Sequence, residues 1–144
     1  VILHLANRIS VILERSFFSA ERTPDLYEYN LEKTPIHDLL SEGFGVQVSC
    51  IDQHIEAVIA TENVAKQLRV EDGFPLLMIT RIVYRLEDGL PVQYSQDFLR
   101  GDYTRIHLSL DLSAQESQKI GDKGDAMEGL GHINLRKEVK DKER

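Results

Sequence analysis

Between Pro75 and Arg105 the apolar positions fall in two runs on either side of Asp88-Gly89. Asp-Gly tolerates the positive φ values of a tight turn, so the pattern predicts a β-hairpin. The first strand is dense in β-branched and aromatic residues: Ile79, Thr80, Ile82, Val83 and Tyr84. The second interleaves Val92, Tyr94 and Phe98 with Gln93, Ser95, Gln96 and Asp97. A purely structural hairpin rarely carries so many polar groups, and the excess points to a ligand-facing wall. A two-residue turn at Asp88-Gly89 predicts that Thr80, Ile82 and Tyr84 share a face with Gln93, Ser95 and Asp97.

Other elements follow from the same reading. Two apolar patches, VILHL and VILERSFF, flank a turn at Asn7 to Ser10 and predict a hairpin of short strands. Residues 19–34 are polar and read as a loop with one helical turn near Leu26 to Tyr29. Thr34 and Pro35 then mark a helix start, with Thr34 as side-chain cap. Ile36, Leu39 and Leu40 form its apolar stripe, and Gly43 and Gly45 end it. Val46 to Ala60 reads as a long strand whose apolar parity changes, which predicts a bulge near Asp52-Gln53. Thr61 is expected to cap a second helix over Glu62 to Leu68, buried through Val64, Ala65 and Leu68. Ile106, Leu108 and Leu110 predict one more strand. After Leu112 the pattern is lost. Residues 1–112 therefore read as one domain and 113–144 as a polar, disordered tail, with a weak helix near Asn134 to Lys142.

Composition narrows the class. A chain of 144 residues with 42% apolar content suits a single domain with a core. No apolar run approaches the roughly 20 residues of a membrane-spanning helix, so no membrane partner is expected. VILHLANR lacks the basic leader and cleavage site of a signal peptide, and a start at Val1 rather than Met suggests a fragment. The single cysteine, Cys50, rules out an internal disulfide and a cysteine-cluster zinc site, and a cytoplasmic setting is the default. Formal charge is −7. The tail's charges cancel, so the acidic excess belongs to residues 1–112, which argues against this chain gripping nucleic acid by itself.

Candidate chemistry is sparse. The sequence holds no Gly-x-Ser-x-Gly, no Walker loop and no Gly-x-Gly-x-x-Gly. Its five histidines stand apart without metal-ligand spacing, so neither metal nor cofactor is expected. Glu14, within an apolar strand, reads either as an edge-strand surface carboxylate or as a pocket group. His37 lies in a first helical turn, where a solvated role is the commoner one. Arg81, between Ile79 and Val83, needs a partner. It reads as an internal ion pair with Glu56, Glu14 or Asp97, or else Arg81, or Arg100 in the following loop, clamps an anionic ligand.

One ordered series of motifs is more specific: EAVIA at 56–60, AKQLRV at 65–70, GFPLL at 73–77, TRIVY at 80–84, DGLPVQYS at 88–95 and RGDY at 100–103. It resembles the UTRA effector-binding domain of GntR-family transcriptional regulators of the HutC type, over about residues 9–110. The resemblance implies an α+β, chorismate-lyase-like fold: an antiparallel sheet with helices packed on it, in two pseudo-repeated halves. That gives a reason for the likeness between Ser10–Phe18 and Pro91–Leu99. It also implies that residues 1–112 are an N-terminally incomplete ligand-sensing domain, a non-enzymatic sensor of a small anionic metabolite, a sugar phosphate or carboxylate. Such a sensor would control a winged-helix DNA-binding domain, placed before Val1 and absent here, and would act within a homodimer. His37 stands where the family often has Tyr, and Gln93 where it often has Glu. The implied ligand-binding groups are Glu14, Thr34, His37, Gln93 and Ser95, with Arg81 as a further candidate. Two alternatives remain, a chorismate-lyase-like enzyme and a dimerisation module that binds no ligand.

Overall fold

Asn7 and Arg8 both adopt left-handed backbone angles, φ 49° and 66°. Two consecutive positive-φ residues make the tight turn that matches the twist of paired strands. They join β1 (Ile2–Ala6) to β2 (Ile9–Phe18), the hairpin expected there, with β2 running to ten residues. The computed structural model describes residues 1–31, 34–110 and 133–139. The further strands are β3 (Val48–Ile59), β4 (Pro75–Arg85), β5 (Pro91–Arg100), β6 (Thr104–Leu110) and β7 (Ile133–Val139). A short helix α1 (Ile36–Asp38) continues into a π-helical turn (Leu39–Gly43), and α2 spans Glu62–Leu68.

β1 to β5 form one antiparallel sheet in the order β1-β2-β5-β4-β3. The sheet and its helices make up one unit, Val1–Gly101; the rest of the chain, Asp102–Arg144, makes a second. In the second unit β6 and β7 pair antiparallel, from Thr104↔Val139 to Leu110↔Ile133. Residues 133–139 are thus a strand and not the helix expected over Asn134 to Lys142. Their alternation of Ile133, Leu135 and Val139 with polar residues suits a paired strand. Residues 111–132 and 140–144, on which the expectation of a disordered tail mostly falls, lie outside the described residues.

One sheet face is closed by α2. Its stripe of Val64, Ala65 and Leu68 packs with Leu13 and Leu76, and Phe98 and Val58 border the same cluster. Arg69, just past the helix, sits at φ 56°, a left-handed C-cap usually given to glycine. Over the other face, Leu40 of the π-turn meets Val83 of β4 and Val92 of β5. Neither expected threonine cap forms: Thr61 makes no side-chain cap bond, and Pro35, not Thr34, occupies the N-cap of α1.

Two registers differ from expectation. The β3 irregularity falls between Val48 and Cys50, not at Asp52-Gln53. There the Ser49 hydroxyl donates to the carbonyls of Tyr84 and Arg85, which anchors the extra residue. The β4–β5 turn is longer than two residues: Arg85 N–H bonds to Leu90 O, and Gly89 N–H to Arg85 O. Asp88 braces this loop by accepting from Leu90 N–H and from Arg85 Nη2 at 2.7 Å. The longer loop moves the pairing by one residue and so exchanges faces. Gln93, Ser95 and Asp97 stand opposite Val83, Arg81 and Ile79, not on the face of Thr80, Ile82 and Tyr84.

Candidate functional site

With the register fixed, cross-strand partners can be followed over the sheet, since directly opposed residues share a face. On the face partly covered by the π-turn, Ser16 of β2, Ser95 of β5, Arg81 of β4 and Gln53 of β3 form one continuous polar row. Glu14 and Asp97 stand side by side in the next row, and Phe18 and Gln93 in the row on the other side. Strand alternation thus collects the polar residues of four strands on one face.

Two electrostatic pairings organise this band. Arg81 Nη2 lies 3.6 Å from Asp97 Oδ2, with the Asp97 side chain fully buried and that of Arg81 one-fifth exposed. Of the partners considered for Arg81 from sequence, Asp97 is the one it pairs with. On β2, the Ser16 hydroxyl donates to Glu14 Oε1 at 2.9 Å, and His4 Nε2 of β1 lies 3.2 Å from Glu14 Oε2. Glu14 is therefore held by two neighbours and is not a free edge carboxylate. Between the pairings, the Ser95 hydroxyl is fully buried and has no hydrogen-bond partner among the described residues. Gln53 Oε1 is in the same condition. A buried polar atom left in this way is costly, so such atoms mark places where water or a ligand enters.

Beside Glu14 the face opens into a cavity of about 190 Å³. Its polar lining is Glu14, Ser16 and His4, and Phe18, Leu31 and Ile36 supply apolar walls. At about 30 Å³ per water the space equals roughly six waters, the size of a compact metabolite. A mostly apolar wall with a few convergent polar groups is the usual make-up of a small-molecule site.

The other candidate residues are placed unevenly. Gln93 and Ser95 share the face of Glu14 on the neighbouring strand, yet both are buried and neither lines the cavity. Arg81 lies on the same face and is engaged with Asp97. Thr34 and His37 flank Ile36, which does line the cavity; Thr34 is half-buried and the His37 side chain points to solvent. Ser16 and His4 were not singled out from sequence. Ser16 was legible as the residue two positions beyond Glu14 on one strand. His4 depended on the β1–β2 register, which no local motif reports.

Comparison with known proteins adds to this geometry. Residues 1–105 match the UTRA domain. The chain belongs to the UTRA family. This UTRA domain is 30% identical over 106 residues to the HTH-type transcriptional repressor NagR of Bacillus subtilis, covering 73% of the chain and 43% of NagR. It is 32% identical over 101 residues to the Probable fructoselysine utilization operon transcriptional repressor of Escherichia coli K12, covering 70% and 40%. The chain thus spans less than half the length of these curated relatives. Among solved structures, its fold matches the C-terminal domain of the histidine utilization repressor of Pseudomonas syringae pv. tomato, with a TM-score of 0.63 at 24% identity. That match covers 69% of this chain and 68% of the other. The C-terminal domain of Yurk from Bacillus subtilis matches equally well, with a TM-score of 0.63, 16% identity and the same coverage. The α+β fold and the membership in the effector-binding domains of GntR-family regulators agree with the resemblance seen in the motifs. Among the described residues no helix is long and apolar enough to cross a membrane.

Proposed function

We propose that this UTRA domain senses a small sugar-derived or carboxylate metabolite at the Glu14 cavity and passes its occupancy to a separate winged-helix DNA-binding domain. The observation that carries the reading is the cavity itself, with a carboxylate fixed by Ser16 and His4 at its wall. A carboxylate oriented in this way accepts hydrogen bonds from hydroxyl or amine groups, which a sugar or amino sugar presents in fixed geometry. The likeness to a probable fructoselysine utilization operon repressor supports the sugar-derived class. A phosphate or carboxylate on the same ligand is the anionic group proposed for it.

Ser95 and Gln93 are one strand away from Glu14, and we place them as groups that a ligand reaches when the cavity deepens over β5. Sensing then requires only that the ligand bind one arrangement of the domain more tightly than another, the difference appearing as a change in DNA affinity. We further propose a cytoplasmic homodimer, with DNA contacted through the other domain. A thermal-shift screen of sugar phosphates, amino-sugar phosphates and small carboxylates tests the reading. At a ligand concentration of 100 times Kd the folded state gains about 2.7 kcal/mol, a readily measured rise in Tm.

A further inference from the structure

A cavity larger than the one at Glu14 lies elsewhere in the sheet unit. It measures about 520 Å³ and lies between the loop after β2, the segment Phe44 to Gln47 that joins the π-turn to β3, and the β4–β5 loop. It shares no lining residue with the Glu14 cavity. Two arginines face it, Arg22 and Arg85.

Arg85 is the unusual one. Only 6% of the residue is exposed, and just one of its three nitrogens is engaged, Nη2 with Asp88 at 2.7 Å. Its Nε and Nη1 have no hydrogen-bond partner among the described residues. Arg22 Nε is likewise buried without an acceptor in bonding range among the described residues. The nearby carboxylates do not fill this need: Glu21 and Glu87 each remain 3.8 Å from Arg22, and both are largely exposed. Leaving charged N–H donors buried and unmatched is expensive, and a guanidinium is permanently charged, so it cannot relieve the cost by losing a proton.

We propose that this cavity is a second ligand site, which takes the oxyanion head, phosphate or carboxylate, of a small molecule between Arg22 and Arg85. Oxyanions are the acceptors that guanidinium donors match in both charge and geometry. The cavity volume exceeds that of a lone phosphate, so the anion is the head of a larger ligand whose remainder lies along Phe44 and Val46. Asp88 holds the Arg85 side chain in place from the loop side, which leaves its other donors pre-set for an incoming anion.

The test is an amide and arginine side-chain NMR titration of the whole chain with inorganic phosphate and, in a parallel arm, acetate, at ionic strength fixed with chloride. Saturable shifts are expected at Arg85 Nε–H and at the amides of Gly45, Val46 and Leu86. Arg22→Gln, at a partly exposed loop position that leaves the Arg85–Asp88 bond intact, is expected to weaken binding about tenfold. Glu87→Gln removes a competing carboxylate and is expected to tighten it about twofold. Phosphate saturating before acetate assigns a phosphoryl head, and the reverse order a carboxylate head. Absence of saturable shifts in both arms, or curves that are unchanged in both variants, overturns the proposal and leaves a water-filled cavity.

Discussion

Arg81 reaches diagonally past its cross-strand partner Ser95 to pair with Asp97, whose side chain is completely buried. The 3.6 Å separation is that of an ion pair rather than a short hydrogen bond. Removing one partner takes an ion-pair interaction away from a charge that stays buried, which is the costly way to break such a pair. Arg81→Met is therefore expected to destabilise the chain by about 2–3 kcal/mol, somewhat below the cost of a fully buried pair because Arg81 is partly exposed. Arg81→Met combined with Asp97→Val is expected to recover at least half of that loss. Urea denaturation of both single variants and the double variant closes the cycle. Additive losses would mean that the two side chains do not interact.

Leu68 is fully buried where α2 meets β2 and β4. Truncation there removes transfer energy and opens a cavity under a helix only two turns long. Leu68→Ala is expected to cost about 2–5 kcal/mol by chemical denaturation. A change below about 1 kcal/mol would show that α2 collapses into the gap or contributes little to the core.

Arg69 occupies a left-handed C-cap at φ 56°. That conformation costs a residue with a Cβ about 1–2 kcal/mol, and glycine avoids the cost while losing more chain entropy on folding. Arg69→Gly is thus expected to stabilise the chain by about 0.5–1 kcal/mol, seen as a rise in Tm. A fall in Tm would show that the Arg69 side chain contributes more than its backbone strain costs.

Much of this architecture was legible because local chemistry and global fold agree. Val64, Ala65 and Leu68 reported α2 by spacing alone, and Asn7 marked a turn whose φ values are positive. The β4–β5 hairpin was also legible, yet its register was not. Asp88-Gly89 signals a tight turn, but Asp88 uses its carboxylate to brace Arg85 and Leu90, and the loop takes extra residues. One residue of slip moved Arg81 onto the face of Ser95 and Gln93. The site was half legible for the same reason. Glu14 stood out as a charge in an apolar strand, while its partner His4 lies ten residues away and is brought there by pairing. Thr34 has the residue type of a cap without the geometry, because the helix after it is short and passes at once into a π-turn.

The central claim is that Glu14 holds a small metabolite, and calorimetric titration into the unmodified chain and into Glu14→Gln tests it most directly. The panel is sugar phosphates, amino-sugar phosphates and small carboxylates. At least one ligand is expected to bind the unmodified chain saturably and to lose about tenfold or more in affinity in Glu14→Gln, the loss of one charge-assisted hydrogen bond. Glu14 is partly exposed, so the variant is expected to keep its fold and Tm. Equal affinity in the two proteins, or no binding of any ligand by a chain shown to be folded, would contradict the account.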